Sequence, residues 1–116
     1  MIALFKPVPL HFWKLPNGRE PVREWLNELP SEDRKVIGRD ISKVQFGWPL
    51  GMPLCRPLTG GLWEVRSSLP SKREARVFFG FSGGKLIALH AIIKKSQTTP
   101  LRELALAKQR LKELTS

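Results

Sequence analysis

Apolar residues recur along this chain with two different periods. In its first half they return every three or four positions, as on one face of a helix. In its second half they alternate, as on one face of a strand. Two short extended pieces come first, IALFK (2–6) and LHFWKL (10–15), kept apart by Pro7 and Pro9, and Asn17-Gly18 signals a turn. PVREWLNEL (21–29) then places Val22, Trp25, Leu26 and Leu29 on one stripe, with Pro21 tolerated in a first helical turn and Pro30 as the stop. A second helix is predicted from an N-cap at Ser31, with Glu32 and Asp33 favourably placed near its positive end, to about Val44. Its apolar face is Ile37, Ile41 and Val44. The two helices form a hairpin.

Residues 47–61 hold four glycines and three prolines and read as a loop whose alternating apolar side chains pack on the surface. Three strands follow: LWEVRSSL (62–69), REARVFFGF (73–81) and KLIALHAII (85–93), the last two joined by a tight hairpin turn at Ser82-Gly83-Gly84. The third strand is apolar nearly throughout and belongs inside the sheet. Thr99 is placed to cap a last helix with Pro100 at its first position. That helix, 101–114, buries Leu101, Leu104, Ala107, Leu111 and Leu114 and turns Arg102, Lys108, Arg110 and Lys112 to water. The expected fold is a single α+β domain over residues 1–116: a small antiparallel sheet, an N-terminal helical hairpin and a C-terminal helix.

Composition supports one globular domain: 116 residues, 41% of them hydrophobic. The single cysteine, Cys55, excludes an internal disulfide and reads as a small buried side chain in a reducing compartment. No apolar stretch reaches the roughly 20 residues of a membrane span, and the N-terminus lacks a signal-peptide pattern, so the expected location is the cytoplasm. Charge changes the picture more. Twenty Lys and Arg stand against ten acids, net +10, and residues 61–116 carry +7 of it. A polyanionic partner follows, with nucleic acid first. A membrane surface fits poorly, because the bases are spread over strands as well as a helix, and an acidic protein fits the charge equally well.

Several chemistries are excluded. His11, His90 and Cys55 at unrelated spacings make no metal site, and no phosphate loop, nucleophile elbow or carboxylate-pair arrangement is present. What remains is a set of bases at strand positions. Arg66 shares a face with Glu64, Arg76 with Phe78, and His90 with Ile92 and Lys94, while Lys95 points the other way. Three adjacent antiparallel strands would gather Arg66, Arg76, His90 and one lysine. Fixed guanidinium and ammonium groups suit a phosphodiester in transfer, whose transition state gains negative charge. A ribonuclease that uses the RNA 2′-hydroxyl as nucleophile needs no metal, only such charges and a proton acceptor, for which His90 is the candidate. Each residue also has a plainer role: His90 as a packed core histidine, Arg66 as a partner of Glu64 or Glu74, the two lysines as a solvated strand end. Phe78, Phe79, Phe81 and the four tryptophans read as packing.

GLWEVR (61–66), REARVFF (73–79) and LIALHAIIKKSQTTP (86–100) before a basic helix resemble the HigB-like toxins of the RelE/ParE superfamily, the phage-derived toxin halves of bacterial type II toxin–antitoxin modules. The resemblance covers most of the chain and is most specific over 61–108. It implies a RelE-like fold, a curved antiparallel sheet with helices on one side, and a metal- and cofactor-independent endoribonuclease that cuts mRNA in the ribosomal A site and so inhibits translation. It implies an antitoxin partner, and operator DNA bound only through the toxin–antitoxin complex. The family's basic positions fall on Arg66, Arg76, Lys94 and Lys95; Lys72, Arg73, Ser96, Lys108 and Lys112 are further candidates for RNA contact. The chain has no tyrosine, which several relatives place near the sheet, so that role is empty or is filled by His90 or a phenylalanine. The same superfamily includes ParE-like gyrase inhibitors and leaves room for an inactive antitoxin-binding relative.

Overall fold

The computed structural model describes residues 6–49, 55–94 and 100–115. All but the last residue of the expected extended piece at 2–6, the cap at Thr99, Lys95 and Ser96 lie outside them. The chain forms β1 (Leu10–Phe12), α1 (Pro21–Asn27), α2 (Ser31–Gly47), β2 (Arg56–Pro57), a short 3-10 turn (Thr59–Gly61), β3 (Trp63–Ser68), β4 (Glu74–Ser82), β5 (Lys85–Lys94) and α3 (Leu101–Thr115).

The architecture is α+β, around a five-stranded open sheet of order β1-β5-β4-β3-β2. β2 to β5 pair antiparallel, as the alternating runs require, whereas β1 joins β5 in parallel and makes the sheet mixed. A parallel neighbour needs a long crossover, and here β1 and β5 are joined through everything between them, which no local pattern announces. β5 is interior as expected, although β4 holds the middle place. Gly83 and Gly84 both have positive φ, 59° and 78°, the backbone of a type I′ hairpin turn, which matches the right-handed twist of its strands.

Helices cover both faces of the sheet, not one. α1 and α2 lie on the first face over Val65, Val77, Phe79, Leu86 and Ala88. α3 lies on the second, where Leu62, Phe78, Ile87 and Leu89 meet Ala107 and Leu111. The close approach of α3 depends on Gly80: a Cβ there would stand 2.5 Å from Leu111 Cδ1.

One cap and two side chains differ from expectation. Pro30, not Ser31, is the N-cap of α2, and no side chain caps that end. Glu32 and Asp33 stand in the first turn as expected, and Asp33 is turned into the protein, where its carboxylate accepts from the Ser71 hydroxyl (2.8 Å) and backbone N–H (3.2 Å) and pairs with Arg73 (3.2 Å). This ties the β3–β4 turn to the start of α2. On α3, Leu101 is 83% exposed, and Arg110, expected in water, packs inward.

Candidate functional site

Strand alternation places Glu64 and Arg66 of β3, Glu74, Arg76 and Phe78 of β4, and Arg56 of β2 on the second sheet face. The ladder sets Arg66 opposite Arg76, Arg56 opposite Glu64 and Lys94 opposite Glu74. β5 reaches this face through a bulge. Phe78 pairs with His90 and Phe79 with Ala88, so Leu89 is the extra residue. Leu86 and Ala88 point to the first face. Without the bulge His90, Ile92 and Lys94 would follow them. With it they turn to the second face, beside Arg76.

The result is one ionic network. Arg66 Nε donates to Glu64 Oε1 at 2.7 Å. The other oxygen of Glu64 lies 3.4 Å from Arg76 Nη1. Glu74 Oε2 lies 3.7 Å from Arg76 Nε and 3.4 Å from Lys94 Nζ. Glu64 and Arg76 are each 2% exposed, and the Arg66 side chain, at 39%, reaches solvent. Burial lowers the pKa of Arg76, and Arg66 and Arg56 push the same way, while Glu64 and Glu74 oppose them. An arginine begins so far above neutrality that it stays charged. Two carboxylates thus hold three cations at fixed spacing, with Arg56 alongside; the side chains of Arg76 and Lys94 are only 2% and 7% exposed, and Arg66 is the member of the three that reaches solvent.

His90 stands next to this network rather than in it. Its ring stacks on Phe78, 6.2 Å between centroids and 17° between planes. Its Nε2 is bonded to Glu103 of α3. In the neutral tautomer that donates from Nε2 to this carboxylate, Nδ1 is the ring's lone-pair site. A carboxylate-oriented imidazole of this kind is suited to accept a proton.

The structure therefore gathers Arg66, Arg76 and Lys94 and sets His90 one residue pair away. It separates the rest. Arg73 is held by Asp33 and Ser71. Lys72 sits in the β3–β4 turn with φ 64°. Lys108 and Lys112 line a groove at the opposite end of the sheet, beside Phe81. Glu64, Glu74 and Glu103 are part of the site although sequence reasoning did not select them. Glu64 and Glu74 were legible as same-face neighbours of arginines; Glu103 was not, because its partner comes from another element. Among the described residues no group of three or more His, Cys, Asp or Glu is placed to hold a metal ion. None of their helices is long and apolar enough to cross a membrane.

A family model for phage-derived Gp49-like proteins (DUF891) matches residues 24–112, about three-quarters of the chain. The chain belongs to the Gp49-like family. The match spans every residue of the ionic network and the His90–Glu103 pair. This family includes RelE- and HigB-like toxins of toxin–antitoxin systems, and the association supports a toxin role with an antitoxin as partner. No curated protein matches the chain.

Proposed function

We propose that this Gp49-like protein is the HigB-type toxin of a type II toxin–antitoxin module and acts as a metal-independent, ribosome-dependent mRNA endoribonuclease in the cytoplasm. The observation that carries the reading is the network of Arg66, Arg76 and Lys94 on three adjacent strands, locked by Glu64 and Glu74, with an oriented histidine beside it.

In the proposed reaction His90 Nδ1 takes the proton of the RNA 2′-hydroxyl. The 2′ oxygen attacks the adjacent phosphorus, the P–O5′ bond breaks, and the products are a 2′,3′-cyclic phosphate and a 5′-hydroxyl, with Lys94 as proton donor to the leaving oxygen. The solvent-facing guanidinium of Arg66 meets the charge developing on the phosphoryl oxygens. Arg76, buried behind it, is a positioning residue that fixes Glu64 and Glu74 and through them Arg66 and Lys94. Lys95 and Ser96 follow Lys94 directly and belong in this proposal as RNA contacts. Histidine takes the place that tyrosine holds in several relatives.

The test is brief induction in cells with mRNA 5′ ends mapped beside an Arg66→Ala control, chosen because Arg66 is the solvent-facing member of the network, with the fold of the control checked by its melting temperature. Cuts confined to translated regions, in codon register and reduced about 10²–10³-fold in the control, are expected. Equal cutting by both proteins sinks the assignment.

A second reading, a ParE-like gyrase inhibitor or an inactive antitoxin-binding relative, is favoured by one observation. Arg76 is buried and each network cation already has a carboxylate. Growth arrest with intact messages and DNA breaks would select the gyrase reading; no arrest would select the inactive relative.

A further inference from the structure

At the end of the sheet away from the ionic network a groove of about 610 Å3 runs between α3 and the 3-10 turn. Arg76 and Phe81 are five residues apart on β4, so the two regions are separated by roughly 16 Å. The groove has an apolar floor and a basic wall. Its lining includes Leu111 and Phe81, with Gly60 and Gly61, which carry no side chains, beside them. Both glycines have positive φ, 72° and 85°, which favours residues without side chains there. Phe81 is 46% exposed and is held in place by stacking on Trp48, 5.6 Å between centroids. The basic wall is Lys108 and Lys112, one turn apart on α3. Among the described residues none that lines the groove is acidic.

The groove continues along the helix. Leu101, Ala105, Lys108 and Lys112 are spaced by four, three and four residues, one stripe of α3, and all four are exposed. The stripe is apolar at its start and basic at its end. An apolar strip flanked by lysines is the complement of an amphipathic helix whose apolar ridge is bordered by carboxylates. It is a poor complement for RNA. Among its described lining residues Phe81 is the single aromatic and already stacks on Trp48, and the groove offers point charges rather than the forked guanidinium groups that grip phosphate.

We propose that this groove is the docking site for an acidic amphipathic helix of a partner protein. Lys108 and Lys112 then serve a protein partner rather than RNA. The occupant's chemistry follows from the groove and stands whether or not the chain cleaves RNA; identifying that partner with the antitoxin rests on the toxin reading.

The experiment selects a displayed library of amphipathic helical peptides, with a fixed leucine stripe and flanking positions varied among Glu, Gln and Lys, against the full chain at ~0.15 M salt. Glu-rich peptides should be enriched. They should shift the amide resonances of Gly60, Gly61 and Lys108 and change the fluorescence of Trp48 through Phe81. Lys108→Glu, an exposed change whose fold is checked by its melting temperature, should weaken them about tenfold or more. Phe81→Ser provides an independent loss. The proposal is overturned if no peptide is enriched, if the enriched peptides are neutral or basic, or if they map elsewhere. It is overturned equally if Lys108→Glu binds them as well as the parent does, or if a single-stranded RNA displaces them from the groove.

Discussion

Glu64 is a carboxylate with almost no access to water, bridging an exposed arginine and a buried one. Taking charges out of water is costly, and the cost is offset only while the partners stay in place. Glu64→Gln keeps the shape and removes the charge, leaving Arg76 with Glu74 at 3.7 Å as its remaining carboxylate in the network. The expected loss is about 3 kcal/mol by chemical denaturation; an unchanged midpoint would mean that the pair is not energetically coupled. Asp33 makes a second prediction. Burial by itself would raise its pKa, but hydrogen bonds from the Ser71 hydroxyl and backbone and from Arg73, with the charge of Arg73, outweigh burial and hold the carboxyl below its ordinary range. A group depressed in the folded state stabilises above its unfolded pKa of about 3.9 and loses that contribution as pH falls through the lower folded value. Asp33→Asn should therefore be less stable at neutral pH, and its melting temperature should fall less steeply than that of the parent below about pH 4. Parallel acid limbs for the two proteins would refute the assignment. Cys55 needs no such argument: burial raises its thiol pKa, so it remains an unreactive thiol at neutral pH.

Between elements, two close approaches decide where the site lies. The first is the bulge in β5. Its extra residue, Leu89, offers a carbonyl that accepts from Arg110 Nη1 at 2.7 Å, and the same guanidinium stacks 4.3 Å above the Trp13 ring. Arg110 thus clamps β5, α3 and the chain after β1 at the point where His90 changes face. Arg110→Met keeps the stem but loses the charged donor. It should cost about 1.5–3 kcal/mol and increase hydrogen exchange at the bulge more than at the hairpin turn; uniform exchange would show that Arg110 is not the clamp. The second is Gly80. Ala at this position meets the end of a flexible leucine, so Leu111 must shift. A cost of roughly 1–3 kcal/mol is expected, with Gly80→Val worse than Gly80→Ala. If both are neutral in thermal melts, α3 does not pack as closely as described.

Across the whole molecule, whose net charge is +10, two groups of cations differ in chemistry. One end of the sheet presents a locked arginine and lysine network; the other presents lysines over an apolar floor. RNA binding at the first should weaken with salt, and removing one phosphate contact by Arg66→Ala should reduce the slope of log K against log salt by about 0.7, the value for one contact to a single strand. An unchanged slope would place Arg66 outside the RNA footprint.

Local pattern was enough to place α1, α2, α3 and the three long strands within a few residues, because the period of burial is a property of each segment alone. Alternation likewise put Arg66 with Glu64 and Arg76 with Phe78 on shared faces, and the side chains of Arg66 and Glu64 meet there. Net charge and a single cysteine limited the partners and chemistries without reference to shape. Tertiary contacts decided the remainder. The parallel pairing of β1, the covering of both sheet faces and the burial of Arg76 depend on residues tens of positions apart. So do the inward turn of Arg110 and the Glu103 partner of His90. The side a strand residue faces is fixed by counting only while the ladder is regular. One extra residue at Leu89 reverses the count, and its carbonyl is bonded by Arg110, on a helix that β5 meets only when the chain has folded.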